Sequence, residues 1–403
     1  MKKLTWNFLS IQWIRPACAG CILVVLSACG GGSDSNSTPP SAPPSAYSYQ
    51  APAAANDGWQ TAHLADFGIN DYALTTMMDN IRNDVSGYRF VDHVLIVKNN
   101  KLLFDEPIRT SLDIADGWAN NQDINLHVLN SVTKSVVSSL IGIAIDQGLI
   151  PGVDVKVHDY FQHKQPIGNW TEAKSNITLK NWLTMRHGYL WDEWNVNYLD
   201  SSNLNAQMNN AQDPIAFLLN RPMATEPGIT FAYSTGVSFA LGRLLEHASG
   251  QSVTSFMEQN LFAPLGITNY DYWALDGQLH TGSALYLSAR DAAKFGQLFL
   301  NEGSWNGEQV ISAEWVREST RMHVDLQNSD YGYQWWITHF TVNGQPIEGY
   351  RGDGFGGQYI IVLPSLDAVV VLFGRAYQDG QQSQYLWRML MEQHILPSLL
   401  QSQ

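Results

Sequence analysis

Ser131 and Lys134 stand at the head of "LNSVTKSVVSSLIGIAIDQG" (129–148), a segment that is almost wholly apolar from Val132 onward. On a helix, positions i and i+3 share a face, so the hydroxyl and the amine fall within reach of each other. A serine hydroxyl attacks a carbonyl only when a neighbouring base takes its proton, and a lysine is such a base only when desolvation or a nearby cation lowers its pKa. Burial in an apolar helix supplies the desolvation. The helix start, with Asn130 as its expected cap, also places Ser131 where main-chain N–H groups and the dipole favour a developing negative charge. A serine that only caps the helix and a lysine that snorkels its head to water would use the same residues, and a Ser-x-x-Lys match alone is a weak signal.

Two further stretches carry chemistry. "EPGITFAYSTGVSFALGRLLE" (226–246) places Tyr233 in a loop just before a helix, where its phenol can hydrogen-bond to the serine–lysine pair and shuttle a proton; a satisfied core tyrosine is the ordinary alternative. "YRGDGFGGQYIIVLP" (350–364) packs glycines ahead of a strand, which lets backbone approach a ligand and aim a main-chain N–H at it, although a strained hairpin turn needs some of the same glycines.

The elements that must position these residues are legible from patterning. "VDHVLIVKNNKLLFDE" reads as a hairpin around an Asn-Asn turn. Gly148 and Pro151 end the helix that carries Lys134. The pattern from about 176 to 262 is mostly helical, strands return at "YGYQWWIT", "QYIIVLP" and "AVVVLFG", and "QQSQYLWRMLMEQHILPSLL" is a closing helix. Strands at both ends with helices between predict an α+β fold: an antiparallel sheet flanked by helices, with an all-helical subdomain inserted over roughly 150–268 and a cleft where the parts meet.

Composition narrows the rest. A net charge of −14 argues against nucleic acid as a partner, since phosphate binding needs clustered Lys and Arg. "MKKLTWNFLSIQWIRPACAGCILVVLSACG" has basic residues ahead of a short apolar run, as a secretory signal does. It closes on "LSAC", which resembles the bacterial lipoprotein box, and that resemblance implies a signal peptide at 1–28, lipidation of Cys29, and a lipid-anchored protein of the bacterial envelope. Gly30 after the cysteine implies the outer membrane, facing the periplasm. Residues 29–57, rich in Ser, Pro and Ala, read as a flexible linker to a domain spanning 58–403. All three cysteines lie in the leader, which excludes thiol chemistry and disulfides from the domain.

Taken together and in this order, the three chemical stretches resemble the serine β-lactamase and penicillin-binding protein superfamily, in particular its class C β-lactamase-like esterases and 6-aminohexanoate-dimer hydrolases. The resemblance spans most of 85–400 and includes "TLKNWLTMRHGYLWDEW", "TGSALYLSARDAAKFGQLFLNEGSWNGEQVIS" and "YGYQWW". It implies Ser131 as acylated nucleophile, Lys134 as its paired lysine, and Tyr233 as the tyrosine of a Tyr-x-Asn motif, with Thr235 in place of the asparagine. The family's Lys-Thr-Gly motif falls on Gly352-Asp353-Gly354, which removes a carboxylate-recognising cation and sets Asp353 near the substrate; Arg351 is the cation that could compensate, with its side chain expected on the opposite strand face. The main-chain N–H groups of Ser131 and Phe355 would form the oxyanion hole.

The implied reaction is acyl transfer from a small ester or amide to Ser131 and then to water, with no metal and no cofactor; no His-Glu-x-x-His spacing is present. Among the tryptophans, Trp191 is the expected wall of an apolar acyl pocket. A β-lactamase or D,D-peptidase is the second reading, and a non-catalytic envelope-binding lipoprotein the third.

Overall fold

The computed structural model describes residues 46–400 except 328 and 379. The signal peptide, Cys29 and the first part of the linker lie outside the described residues.

Seven strands form the main sheet: β1 (Gln60–Thr61), β2 (Val91–Lys98), β3 (Lys101–Pro107), β4 (Trp336–Val342), β5 (Gln345–Gly354), β6 (Gln358–Leu363) and β7 (Ala368–Gly374). Their order is β1-β3-β2-β7-β6-β5-β4, antiparallel throughout except for the two-residue edge pair of β1 with β3. The N-terminal hairpin turns on Asn99 and Asn100, at φ 48° and 57°. Two consecutive left-handed residues match the twist of the flanking strands, and asparagine tolerates that conformation. Strand β7 closes the sheet by pairing with β2, so segments more than 250 residues apart are neighbours.

Both faces of the central strands are covered, which is why they read as continuous apolar runs rather than alternating ones. Val369 and Val371 pack into one core with Leu95, Ile360 and Phe295; Val370 and Leu372 pack into another with Val94, Ile361 and Met77. The elements used below are α1 (Tyr72–Arg82), α2 (Thr133–Asp146), α3 (Leu204–Asn209), α4 (Thr235–Ser249), α5 (Ala289–Leu300) and α6 (Gly380–Leu390). On one face α5 lies so close to the sheet that a Cβ on Gly296 would meet Val369 at 2.6 Å. On the other, α1 packs with the helical residues that follow α6.

Helix α2 runs through the interior, with every residue from Thr133 to Ala144 buried. It ends where expected, with Gly148 at φ 73°. The 176–262 region is less helical than its pattern predicts: 184–203 is a loop, turned by Met185 and Gly188 at positive φ and pinned by the Ala224 N–H to the Gly188 carbonyl. The linker expectation also needs correction. Tyr47 and Tyr49 are buried against the sheet, and the Tyr49 hydroxyl donates to the Leu103 carbonyl at 2.8 Å. Two aromatic rings in a run otherwise rich in Ser, Pro and Ala bury enough apolar surface to hold the chain down.

Candidate active site

Ser131 lies in a single 3-10 turn, Asn130–Val132, that leads directly into α2. Asn130 does not cap it. Its backbone is left-handed at φ 46°, and its carboxamide donates to the Phe355 carbonyl at 2.7 Å, fastening the turn to the β5–β6 loop. The opening N–H groups of such a turn have no acceptor within it.

One turn on, Lys134 is buried, and its Nζ donates to Ser131 Oγ at 2.9 Å, to Thr235 Oγ1 at 3.1 Å and to the Gly282 carbonyl at 2.7 Å. Burial pulls its pKa down to about 7, against the opposing negative charge of Glu193. Near neutral pH a large share of the amine is therefore unprotonated.

Tyr233 is buried, its ring centroid 5.0 Å from Lys134 Nζ, and its phenol hydrogen-bonds with Ser131. Burial pushes the phenol pKa well up, with the charges of Glu193 and Asp353 adding and the Ser131 bond opposing. A phenol so placed keeps its proton and relays rather than ionises. Its ring clusters with Trp194 at 5.1 Å and Trp336 at 5.9 Å, and those two rings also meet each other at 6.2 Å.

Thr235 opens α4 just beyond Ser234, whose side chain caps the helix by accepting from the Val237 N–H at 3.1 Å. The Thr235 hydroxyl and main-chain N–H both donate to Glu193, at 2.6 and 2.8 Å. Ser131, Thr235 and Phe355 share the wall of a cavity of about 380 Å³, and no charged side chain is among the residues lining it. Phe355 turns out of the end of β5 at that wall, and its main-chain N–H has no acceptor among the described residues. The arrangement sets a hydroxyl beside a dry amine, with a proton-holding phenol hydrogen-bonded to it and an unengaged N–H nearby. Among the described residues, one cluster has metal-ligand character, Asp92, Asp113 and His127, and its Asp92 and His127 line a separate cavity with Arg109.

A family model described as Beta-lactamase matches residues 89–391 of this chain. The chain belongs to the beta-lactamase family. By that membership it is a serine hydrolase. An uncharacterised protein of Alkalihalophilus pseudofirmus is 21% identical over 324 residues, 73% of this chain and 86% of its own. Among solved structures, a protein named as a 6-aminohexanoate-dimer hydrolase, from Bacillus anthracis, superposes with a TM-score of 0.64 at 18% identity, over 78% of this chain and 81% of that one. EstCE1, described as a hydrolase with promiscuous acyltransferase activity, superposes with a TM-score of 0.63 at 14% identity, over 82% and 99%.

Within this member of the family, two expected substrate contacts lie elsewhere. Trp191 is behind the cavity, its indole N–H donating to Glu193 Oε2 at 2.8 Å and its ring packed under α4, where a Cβ on Gly236 would meet it at 2.9 Å. It supports the wall without lining it. Asp353 is also set back. Its carboxylate receives Arg351 Nε and Nη2 at 3.2 and 3.1 Å, so arginine and aspartate share a strand face, as i and i+2 must. The guanidinium lies 4.5 Å over the Trp387 ring. Gly352, on the other strand face, looks at Val132 and Ser135.

The residues that sequence reading missed are Glu193 and the cavity walls Trp118, Tyr198, Asn205, Asn209 and Trp273. Glu193 is buried and accepts from Trp191, Tyr198 and twice from Thr235. An acid amid aromatics in "LWDEWNVNY" was the available signal, since such a residue is buried only with donors around it. The asparagines gave none.

Proposed function

We propose that this chain hydrolyses small, neutral esters or amides through an acyl-enzyme on Ser131. One observation carries the reading: the Lys134 amine sits 2.9 Å from Ser131 Oγ in a site dry enough to bring its pKa to about 7. Unprotonated Lys134 takes the Ser131 proton as Oγ attacks the substrate carbonyl, and the carbonyl oxygen becomes an anion held by the Ser131 and Phe355 N–H groups. When the tetrahedral intermediate collapses, the proton passes through Lys134 and the Tyr233 phenol to the departing alcohol or amine. Water then attacks the acyl-enzyme, losing its proton to the same amine and restoring Ser131.

The cavity supports a neutral substrate. With Gly352 where the superfamily motif has lysine and Asp353 occupied by Arg351, no charged side chain among the described residues lines the cavity to receive a carboxylate. The structural likeness to a protein named as a 6-aminohexanoate-dimer hydrolase and to EstCE1, described as a hydrolase with promiscuous acyltransferase activity, supports hydrolysis by acyl transfer.

The test is a panel of p-nitrophenyl esters, short linear amides and nitrocefin, run on wild type and Ser131→Ala, beside labelling by a fluorophosphonate probe. Ester or amide turnover and labelling that both vanish in Ser131→Ala are expected. Equal activity of the two proteins on everything would remove Ser131 as nucleophile. A stable adduct with labelled penicillin would point to β-lactams or peptidoglycan instead.

Export and lipid anchoring at Cys29 belong to this proposal. Incorporation of labelled palmitate into the full chain, lost in Cys29→Ala, is the expected result; retained label would refute it.

A further inference from the structure

We infer that Gln334 is a positioning residue for the acylation step: it fixes the Ser131–Lys134 pair against Tyr233 and Thr235, an inference that rests on Ser131 being the nucleophile. The four residues arrive on separate segments. Ser131 and Lys134 belong to α2 and the turn that leads into it, Thr235 opens α4, and Tyr233 lies in the loop before it. Across that boundary run the Lys134 Nζ bond to Thr235 Oγ1 at 3.1 Å and the bond between Ser131 and the Tyr233 phenol. Neither survives a slide of one segment past the other, and a misplacement of about 1 Å costs roughly a hundredfold in rate.

Gln334 is buried, and each of its four polar groups is bonded to one of those segments or to the chain that holds it. Its carbonyl accepts from Ser135 Oγ at 2.7 Å, the residue after Lys134 on α2. Its side-chain oxygen accepts from Ser238 Oγ at 2.6 Å, one turn past Thr235 on α4. Its NH2 donates to the Trp182 and Leu183 carbonyls at 3.2 and 3.0 Å, and its main-chain N–H to the Leu183 carbonyl at 3.1 Å. The 182–183 segment runs on to Met185, whose carbonyl accepts from the Ala232 N–H at 2.8 Å and so holds the residue before Tyr233. The carboxamide has one possible orientation, because turned over its oxygen would face two carbonyls.

The backbone of Gln334 is a second observation. It is left-handed, at φ 62°, in the bend just ahead of β4. A residue with a Cβ is strained there and glycine is not, and such strain persists only where the surroundings over-determine it. Glycine at this position would keep the two main-chain bonds and lose the three made by the carboxamide. Those three tie α4 to the 182–183 segment, which a relaxed backbone cannot do.

Gln334→Gly relaxes the backbone while it cuts the carboxamide clamp, so the thermal midpoint should move little and the chemistry should suffer. The readout is the rate at which a fluorophosphonate probe labels Ser131 in the full chain, divided into the maximal rate and the probe concentration that half-saturates it. We expect the maximal rate to fall roughly 10- to 100-fold with half-saturation unchanged. Ser238→Ala, which removes the Ser238 bond alone, should lower that rate several-fold. The double variant should label no more slowly than Gln334→Gly, because both changes break the same bond. A maximal rate kept in Gln334→Gly, losses that multiply in the double variant, or a rise in half-saturation that carries the whole loss would each overturn the clamp. If Gln334→Gly fails to fold, the decision passes to Ser238→Ala, whose lowered rate supports the clamp and whose wild-type rate overturns it. A wild type that the probe does not label, or labelling that persists in Ser131→Ala, would instead sink the nucleophile beneath it.

Discussion

Lys134 and Glu193 make no direct ion pair, but the Thr235 hydroxyl joins them, accepting from Nζ at 3.1 Å and donating to Oε1 at 2.6 Å. The carboxylate therefore acts on the amine across one hydroxyl, raising a pKa that burial lowers. Two opposed effects leave Lys134 at about 7, and removing either moves it in a known direction.

Activity should accordingly rise with pH through about 7 as Lys134 loses its proton. In Glu193→Gln the opposing charge is gone, the amine deprotonates more easily, and the acid limb of kcat/KM should move to lower pH. A limb that stays in place or moves up would show that Glu193 does not set the base.

Tyr233→Phe removes the phenol and keeps the ring in its cluster with Trp194 and Trp336. Loss of a proton relay is worth about 10²–10⁴ in kcat. The Lys134 limb should remain in the pH profile, and the thermal midpoint should change little. Full activity in the phenylalanine variant would remove the relay from the mechanism.

Asn130 links the two proposed oxyanion donors through its 2.7 Å bond to the Phe355 carbonyl. Asn130→Gly tolerates the positive φ and deletes only the strut. We expect kcat to fall roughly 10- to 100-fold with KM nearly unchanged, because the interaction served is made in the transition state. An equal rise in KM with kcat preserved would place Asn130 in ground-state binding.

Gly352 stands where a superfamily lysine is expected, but a Cβ there would meet Val132 Cγ1 at 2.8 Å and Ser135 Oγ at 3.3 Å. Any larger residue presses on the segment that carries Ser131. Gly352→Ala should destabilise by about 1–3 kcal/mol in urea unfolding and lower activity. Gly352→Lys should gain no nitrocefin hydrolysis; a clear gain would mean that the missing cation alone excludes β-lactams.

The sequence by itself determined the main strands and the helix that carries Lys134, in their order, though not the loop at 184–203. The Asn-Asn turn, the stop at Gly148 and the apolar runs of β2, β6 and β7 follow from backbone preference and burial, which act locally. So does the facing of Ser131 and Lys134, since three residues of helix place one over the other. What only the tertiary structure decided joins distant segments. Glu193 meets Thr235 because a loop folds under α4; Asn209 meets His280 across 71 residues; Trp191 is held behind the wall it was expected to form. No periodicity encodes these contacts, because a side chain's role there depends on which surface is dry and which remote donor reaches it. Even the lowered pKa of Lys134, suggested by an apolar helix, is set in amount by a carboxylate 59 residues further along the chain.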